Sequence, residues 1–125
     1  MGCQNISNIN LPNEIEYIKD QAFCKCINLK LITIPEKIKN ISDRTFKACH
    51  NLKNVIFNSD LKTIGVEAFH RCYNLTTLYF PNSLEYINDW AFKECYNLQK
   101  IYIPKKCKLG KYVFGNCFKL KIYEY

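Results

Sequence analysis

The chain has 125 residues, the length of one domain, and 48% of them are hydrophobic and 23% charged. This composition is typical of a folded soluble protein and excludes a disordered or low-complexity chain. No apolar run approaches the roughly 20 residues that a membrane-spanning helix needs. The N-terminus also lacks the basic and apolar segments of a secretory signal, so neither feature is predicted.

The formal net charge of +7 is concentrated near the C-terminus. Residues 1–99 hold eleven basic and ten acidic side chains, whereas residues 100–125 hold seven lysines and a single acidic residue. Within this segment we define a basic patch, formed by Lys105, Lys106, Lys108 and Lys111. The patch is expected either to keep one end of the molecule solvated or to bind a polyanion. Specific nucleic-acid binding is not predicted, because no recognised binding motif accompanies the lysines.

A repeat of 23 residues runs through the whole chain. Residues 1–11 form a partial repeat, and further repeats span approximately 12–34, 35–57, 58–80, 81–103 and 104–125. The last repeat is one residue short between Cys107 and Phe114. Three columns recur at fixed positions: Phe23, Phe46, Phe69, Phe92 and Phe114; Cys3, Cys26, Cys49, Cys72, Cys95 and Cys117; and Leu29, Leu52, Leu75, Leu98 and Leu120. This period predicts a single solenoid domain of stacked coils.

Each repeat divides into two segments with different periodicity. The first, as in residues 98–103, alternates apolar and polar residues like a strand with one buried face. Prolines are predicted to end this strand, at Pro35, Pro81 and Pro104. The second segment spaces its apolar residues by four, one and three positions, as at Ile87, Ala91, Phe92 and Cys95. That spacing predicts a short helical turn, with Ser42, Asp43, Asn88 and Asp89 at capping positions.

Stacking the repeats joins their strands into a continuous parallel sheet, with the Phe, Leu and Cys columns pointing inward. An asparagine column precedes the leucines and contains Asn5, Asn28, Asn51, Asn74 and Asn97. An asparagine repeated at a turn is expected to bond the backbone of its own or the next coil.

The pattern I-x-x-x-A-F-x-x-C-x-N-L-x-x-I-x-I-P resembles the BspA-like leucine-rich repeats, known from bacterial surface proteins and some parasitic protists. The resemblance covers nearly the whole chain. It implies an α/β solenoid, a right-handed coil with a parallel β-sheet on one face and short helical turns on the other, used for binding or adhesion. It also implies a cell-surface location, although a cytoplasmic scaffold fits a chain without a signal equally well.

No catalytic, metal or cofactor site is predicted. Neither His50 nor His70 lies in a nucleophile, acid-base or metal-binding motif, and a glycine-rich phosphate loop is absent. A zinc site would need Cys24, Cys26 and Cys49 with His50, but their spacing does not match structural zinc sites. Carboxylates such as Asp89 and Glu94 are expected to be solvated.

The column cysteines are expected to be buried, reduced thiols, which behave as small apolar side chains. Stacked neighbours would nevertheless lie close enough for a disulfide.

Recognition is expected at strand positions that vary between repeats and point away from the core. One such column reads Asn10, Thr33, Ile56, Tyr79, Tyr102 and Glu124, and the column two residues earlier reads Asn8, Leu31, Asn54, Thr77, Lys100 and Ile122. The predicted partner-binding residues are Thr33, Ile56, Tyr79, Tyr102, Asn54, Thr77 and Lys100. Tyrosine is favoured at interfaces because it combines a large area with a polar tip, although it also suits an exposed strand.

The sequence therefore predicts a non-enzymatic module that binds a protein or a surface glycan through its sheet. Two alternatives remain: self-association through the terminal strand I-Y-E-Y, which would make a homo-oligomer, and polyanion binding by the basic C-terminal end.

Overall fold

The structure is a computed structural model that describes residue 3 and residues 6–125. One strand of each coil lies on a side that we call the front. The front strands are β1 (Leu31–Thr33), β3 (Asn54–Ile56), β5 (Thr77–Tyr79), β7 (Lys100–Ile103) and β9 (Lys121–Glu124). They are parallel and form two sheets, β1-β3 and β5-β7-β9. The predicted parallel solenoid is confirmed, and β1, β5 and β7 end just before Pro35, Pro81 and Pro104. The prediction of one continuous front sheet is wrong, because β3 and β5 are not paired.

A second parallel sheet covers the back of the solenoid. Its strands are β2 (Asn40–Ile41), β4 (Thr63–Ile64), β6 (Tyr86–Ile87) and β8 (Lys108–Leu109), in the order β2-β4-β6-β8. The segment between each front strand and the following turn thus forms a ladder of its own, because its backbone groups pair with those of the next coil. Ile41, Ile64 and Ile87 point inward from it and are buried.

The third side consists of turns, and the predicted helical turns are wrong: residue 3 and residues 6–125 contain no helix. Each turn has two residues with positive φ four positions apart, such as Glu67 (φ 53) and Arg71 (φ 62). A right-handed helix does not tolerate that conformation. Alternate amides instead reach across to the next coil, as when the Phe69 N–H donates to the Ala91 carbonyl at 2.7 Å.

The core is built from the predicted columns. Phe46, Phe69 and Phe92 are fully buried, and their rings stack with centroids 5.1 and 4.9 Å apart. The leucines from Leu29 to Leu98 are also fully buried, so the inward orientation of these columns is confirmed. Phe23 and Phe114, at the two ends of the stack, are only partly covered.

Side chains predicted to cap helices instead tie neighbouring coils together. The Asp43 carboxylate accepts a hydrogen bond from the Val66 N–H at 2.8 Å, and Asp89 accepts one from the Lys111 N–H at 2.8 Å. The asparagine column does the same, since Asn51 donates to the Ile27 carbonyl at 2.7 Å. The predicted bonding of this column to the backbone is confirmed for Asn51 and Asn97, but the acceptor belongs to the preceding coil rather than to the residue's own or the next coil. Asn5 lies outside the described residues.

The last coil differs from the sequence alignment by one position. β9 pairs Tyr123 with Tyr102 and Lys121 with Lys100, which places Glu124 opposite Ile103. The column predicted from the repeat instead places Glu124 beside Tyr102. The cause is a second missing residue, because two residues separate Leu98 from Ile101 but only one separates Leu120 from Ile122.

Candidate partner-binding surface

A row of large side chains crosses the front of the solenoid at right angles to the strands. We call it the front stripe and define it as Ile56, Tyr79, Tyr102 and Tyr123. Ile56 is 54% exposed, Tyr79 67% and Tyr123 42%. The tyrosine rings are nearly parallel, with centroids 4.8 Å apart for Tyr79 and Tyr102 and 5.1 Å apart for Tyr102 and Tyr123. The three tyrosines therefore form one ladder of stacked rings, held in register by the pairing of β5, β7 and β9.

The sequence placed Ile56, Tyr79 and Tyr102 on this surface but missed Tyr123. The signal was present, because the dipeptide Ile-Tyr occurs at residues 101–102 and again at residues 122–123. Aligning these dipeptides rather than the repeat length would have extended the stripe by one ring.

The polar residues predicted around the stripe lie beside it. Asn54 and Lys100 are exposed, and Thr77 is half-buried, all at the start of their front strands. Thr33 is exposed at the N-terminal end of the stripe, in register with Ile56. The structure thus brings all seven predicted partner-binding residues onto one side of the molecule.

The basic patch lies away from this surface. Lys105, Lys106, Lys108 and Lys111 are all exposed and belong to the back strand and turn of the last coil. Within the part of the chain that the structure describes, none of them forms an ion pair with a carboxylate.

The tyrosine at the C-terminus braces the last coil against the front. The Tyr125 hydroxyl donates to the carbonyl oxygen of Phe80, two coils earlier, and the Tyr125 N–H donates to the Ile103 carbonyl at 2.9 Å. These bonds hold β9, and with it Tyr123, against the preceding strand.

A second aromatic row follows the edge between the turns and the front. It contains His50, Tyr73, Tyr96 and Phe118, whose successive ring centroids are 4.6, 5.4 and 6.3 Å apart. Phe118, at the end of the row, is strongly exposed.

The turn side carries a network of charges that sequence analysis missed. His70 is buried, with Nε2 3.3 Å from a Glu94 oxygen and Nδ1 3.1 Å from a Glu67 oxygen. Arg44 bonds Glu67 at 2.8 Å, and Arg71 bonds Glu94 at 2.8 Å. Glu94 is therefore paired rather than simply solvated, and the network ties three successive coils together.

Burial and the neighbouring charges together set the pKa values of this network, and burial dominates only at His70. It lowers the pKa of His70, and the nearby Lys47 ammonium acts in the same direction, although Glu67 and Glu94 oppose both. Burial opposes ionisation of Glu67, but Lys47, Arg44 and His70 outweigh it and lower the pKa of Glu67. The bond from Arg71 is the main cause that lowers the pKa of Glu94. These carboxylates are thus ionised and neutralised by their neighbours, an arrangement that serves cohesion.

The cysteine column is mostly reduced, but the expectation of thiols throughout is wrong at its first pair. Cys3 and Cys26 form a disulfide, with Cα atoms 4.6 Å apart, as stacked column neighbours permit. Cys49, Cys72, Cys95 and Cys117 are free thiols. Of the residues considered for zinc, Cys26 is thus oxidised and Cys49 donates to the Phe23 carbonyl at 3.1 Å.

The described residues contain no helix long and apolar enough to cross a membrane. No group of three or more His, Cys, Asp or Glu side chains in the described part of the chain has the geometry to hold a metal ion.

Solved structures of bacterial leucine-rich repeat proteins superimpose closely on the chain. A leucine-rich repeat protein of T. pallidum has a TM-score of 0.87 and 27% identity, over 93% of this chain and 57% of its own. A leucine-rich cell surface protein of Faecalibacterium prausnitzii has a TM-score of 0.90 and 28% identity, over 96% of this chain and 32% of its own. A leucine-rich repeat protein of Bacteroides ovatus has a TM-score of 0.71 and 29% identity, over 99% of this chain and 38% of its own.

The chain thus spans between about a third and just over half of the length of these proteins. Among curated protein sequences, none matches it. The family model of the BspA-type leucine-rich repeat region matches residues 1–121 with six copies of the repeat. The chain belongs to the BspA-type leucine-rich repeat family.

Proposed function

We propose that the chain is a non-enzymatic binding module that docks on a protein partner through the front stripe. The supporting observation is the ladder of stacked rings from Tyr79 to Tyr123, which presents a continuous row of ring edges and hydroxyl groups on the front of the sheet. Thr33, Asn54, Thr77 and Lys100 surround the ladder with polar groups. A central aromatic cluster inside a polar rim is the usual anatomy of a protein interface.

The rigidity of the ladder favours binding. Association normally costs conformational entropy for each side chain that it immobilises. Tyr102 is already confined between two neighbouring rings, so a partner that covers it has less ordering to impose. A flat array of this kind suits the surface of a folded protein better than the insertion of a small molecule.

Adhesion is the biological role that we infer for this binding. The structural neighbour from Faecalibacterium prausnitzii is a cell surface protein, and its aligned region is 28% identical in sequence to this chain. We extend its surface location to this chain as part of the proposal.

Site-specific photocrosslinking tests the proposal. A photoreactive phenylalanine analogue in place of Ile56 is expected to capture a partner from surface extracts of the source cell or of cells it contacts. The same analogue in place of Tyr112, which is exposed on the turn side, is the matched control. Capture at both positions alike, or at Tyr112 alone, would contradict docking on the front stripe.

Self-association through β9 is a second candidate. All four residues of β9 are exposed, and the strand pairs with β7 along one edge. An open parallel edge can accept a strand from another chain. Sedimentation over a concentration series tests self-association. A molecular mass that rises with concentration supports self-association, and a constant monomer mass excludes it.

A further inference from the structure

Two polar cavities lie side by side on the flank of the front, between the asparagine column and the front strands. One has a volume of about 320 Å³ and is lined by Lys53, Asn74, Thr76, Asn97 and Gln99. The other has a volume of about 390 Å³ and is lined by Gln99, Lys100, Lys119, Lys121 and Tyr123. Because Gln99 borders both, they form one continuous groove across the coils, which we call the lysine groove.

The lysine charges in the groove are not neutralised by carboxylates, although the Lys119 ammonium donates a hydrogen bond to the side-chain oxygen of Asn97 at 3.0 Å. Within the described residues, Lys53, Lys100, Lys119 and Lys121 form no ion pair with a carboxylate. Two lysines on the back do form ion pairs, since Lys39 lies 3.8 Å from Asp60 and Lys62 lies 3.9 Å from Glu85.

The sequence explains this difference. Each segment from the asparagine column to the end of a front strand is free of Asp and Glu, except that the last one contains Glu124. Acidic residues are thus almost confined to the back and the turns. Unpaired lysines in a cleft with few carboxylates create a positive potential that attracts an anion.

The uncharged lining narrows the class of ligand. Asn74 and Gln99 are exposed amides, and Thr76 contributes a half-buried hydroxyl. Amides and hydroxyls both donate and accept hydrogen bonds, which matches the hydroxyl groups of a sugar. The ring of Tyr123 forms part of one wall, and an aromatic face can stack on the C–H face of a pyranose. Phosphate chains would use the lysines and the N–H and O–H donors, but they would leave the acceptor oxygens and the aromatic face unused.

The direction of the groove favours a chain-like ligand. It runs along the solenoid axis, so its polar groups recur at each coil with the spacing of paired strands. A pyranose unit in an extended polysaccharide is about as long as one such spacing. The geometry points to a binding site for a linear acidic polysaccharide, with carboxylate or sulfate groups at Lys100, Lys119 and Lys121 and hydroxyl groups at Asn74, Thr76 and Gln99. This site adjoins the front stripe: Lys100 and Tyr123 border both surfaces, whereas the other lining residues belong to the groove alone. The inference does not depend on the proposed docking function.

Binding to four defined polymers tests the inference, by calorimetry at physiological salt. Hyaluronan carries carboxylates, dextran sulfate carries sulfates, dextran is neutral, and polyphosphate is an anion without sugar. We expect binding to hyaluronan, dextran sulfate or both, which identifies the preferred acidic group. Dextran should not bind, and polyphosphate should bind more weakly than the better acidic glycan. Failure of both acidic glycans to bind, or equally tight binding of polyphosphate, would overturn the inference.

Two triple variants with the same loss of charge locate the site. Lys100→Gln/Lys119→Gln/Lys121→Gln removes three charges from the groove, and Lys105→Gln/Lys106→Gln/Lys111→Gln removes three from the basic patch. We expect the first to weaken glycan binding about fivefold per lysine, which corresponds to about 1 kcal/mol for a contact in water. The second should change it by less than about threefold in total. Equal losses in both variants would contradict a site in the groove.

An uncharged variant separates sugar recognition from simple attraction of charge. Thr76→Ala/Gln99→Ala is expected to weaken binding of the acidic glycan about fivefold per lost hydrogen bond and to weaken polyphosphate binding less, because phosphate uses only the donors of these side chains. Identical effects on both polymers would argue against a sugar site. Tyr79→Ser/Tyr102→Ser should retain glycan binding, so failure of this inference is distinguishable from failure of the proposed docking function.

Discussion

The thiol of Cys72 donates a hydrogen bond to the carbonyl oxygen of Phe46, one coil earlier, across 3.2 Å. Cys95 repeats the contact with Phe69 at 3.2 Å, so each column cysteine ties two coils together as well as filling space. Burial raises the pKa of Cys49 to about 12 and that of Cys72 well above its ordinary range. The thiolate is the reactive form of cysteine, so these side chains should be chemically inert in the folded protein.

We therefore expect iodoacetamide at pH 8 to leave Cys49, Cys72 and Cys95 unmodified in the native protein. Half-buried Cys24 should be alkylated first. Peptide mass spectrometry after timed labelling measures each site, and protein unfolded in urea provides the reference rate. Labelling of Cys72 at the same rate in native and unfolded protein would show that the column is not buried.

The turns predict an unusual effect of glycine. Ala48 has φ 60, a conformation that costs an L-residue roughly 1–2 kcal/mol. Glycine adopts it freely but loses about 0.5–1 kcal/mol of chain entropy on folding. Ala48→Gly should thus raise the free energy of unfolding by about 0.5–1 kcal/mol, as measured by urea denaturation.

The control is Ala68→Gly, at a buried residue with negative φ. It should lower the free energy of unfolding by about 1 kcal/mol or more, because glycine brings its entropy cost and leaves a void. Equal destabilisation of both variants would show that Ala48 does not have a positive φ in the folded protein.

Glycine is needed at position 65 for a different reason: a side chain there would have no space, whereas the backbone φ is not positive. A Cβ at this position would lie 2.6 Å from a carboxylate oxygen of Asp43 and 2.8 Å from the Ile41 carbonyl oxygen. Gly65→Ala should therefore lower the free energy of unfolding by about 1–3 kcal/mol, as overpacking in a core does. Gly115→Ala, whose closest contact would be 3.3 Å from Lys93, is the milder control in the same denaturation assay. A larger loss at Gly115 than at Gly65 would contradict the close approach of the coils at Asp43.

Acid should weaken the fold in two steps through the turn-side network. The pKa of His70 is lowered from its ordinary 6.5 in the folded state, so the unfolded chain binds the proton more readily. The stabilising contribution of neutral His70 is complete above about pH 6.5 and is lost as the pH falls through its folded-state pKa. Glu67 and Glu94 have pKa values below their ordinary 4.5, so their contribution is lost only at more acidic pH.

Urea denaturation between pH 7.5 and pH 3 measures both steps. His70→Gln should abolish the decline that begins near pH 6.5 and keep the decline at lower pH. The account of His70 fails if the variant shows the same upper decline, or if the unmodified protein becomes more stable on acidification from pH 7.

The columns were predictable from sequence because the repeat itself encodes them. Phe69 and Leu75 recur at a fixed period, and a side chain that recurs in a solenoid has the same environment in each coil. Strand alternation likewise placed Tyr79 and Tyr102 on the outer face. The cross-coil pairs Arg44–Glu67 and Arg71–Glu94, 23 residues apart, could also have been found by comparing charges at that separation.

The conformation of the turns and the register of β9 could not be predicted from the repeat period. Apolar spacings of four, one and three at Ile87, Ala91, Phe92 and Cys95 suit a helical turn, but the backbone takes positive φ at Trp90 and Glu94. Those residue types give no hint of it, since glycine is the usual marker of positive φ. Hydrogen bonds to the next coil select this conformation, and they exist only once coils are stacked. The register of β9 was misassigned because a uniform period hides a deletion after Leu120.

The measurement that tests the central claim most directly compares two double variants for stability and for binding to the captured partner. Tyr79→Ser/Tyr102→Ser removes the centre of the front stripe, and Tyr17→Ser/Tyr112→Ser removes tyrosines that are 67% and 73% exposed elsewhere. We predict that both variants unfold within about 1.5 kcal/mol of the unmodified protein. Only the stripe variant should lose affinity, by about thirtyfold or more. Retention of full affinity by the stripe variant, or an equal loss in the control, would contradict recognition through the front of the solenoid.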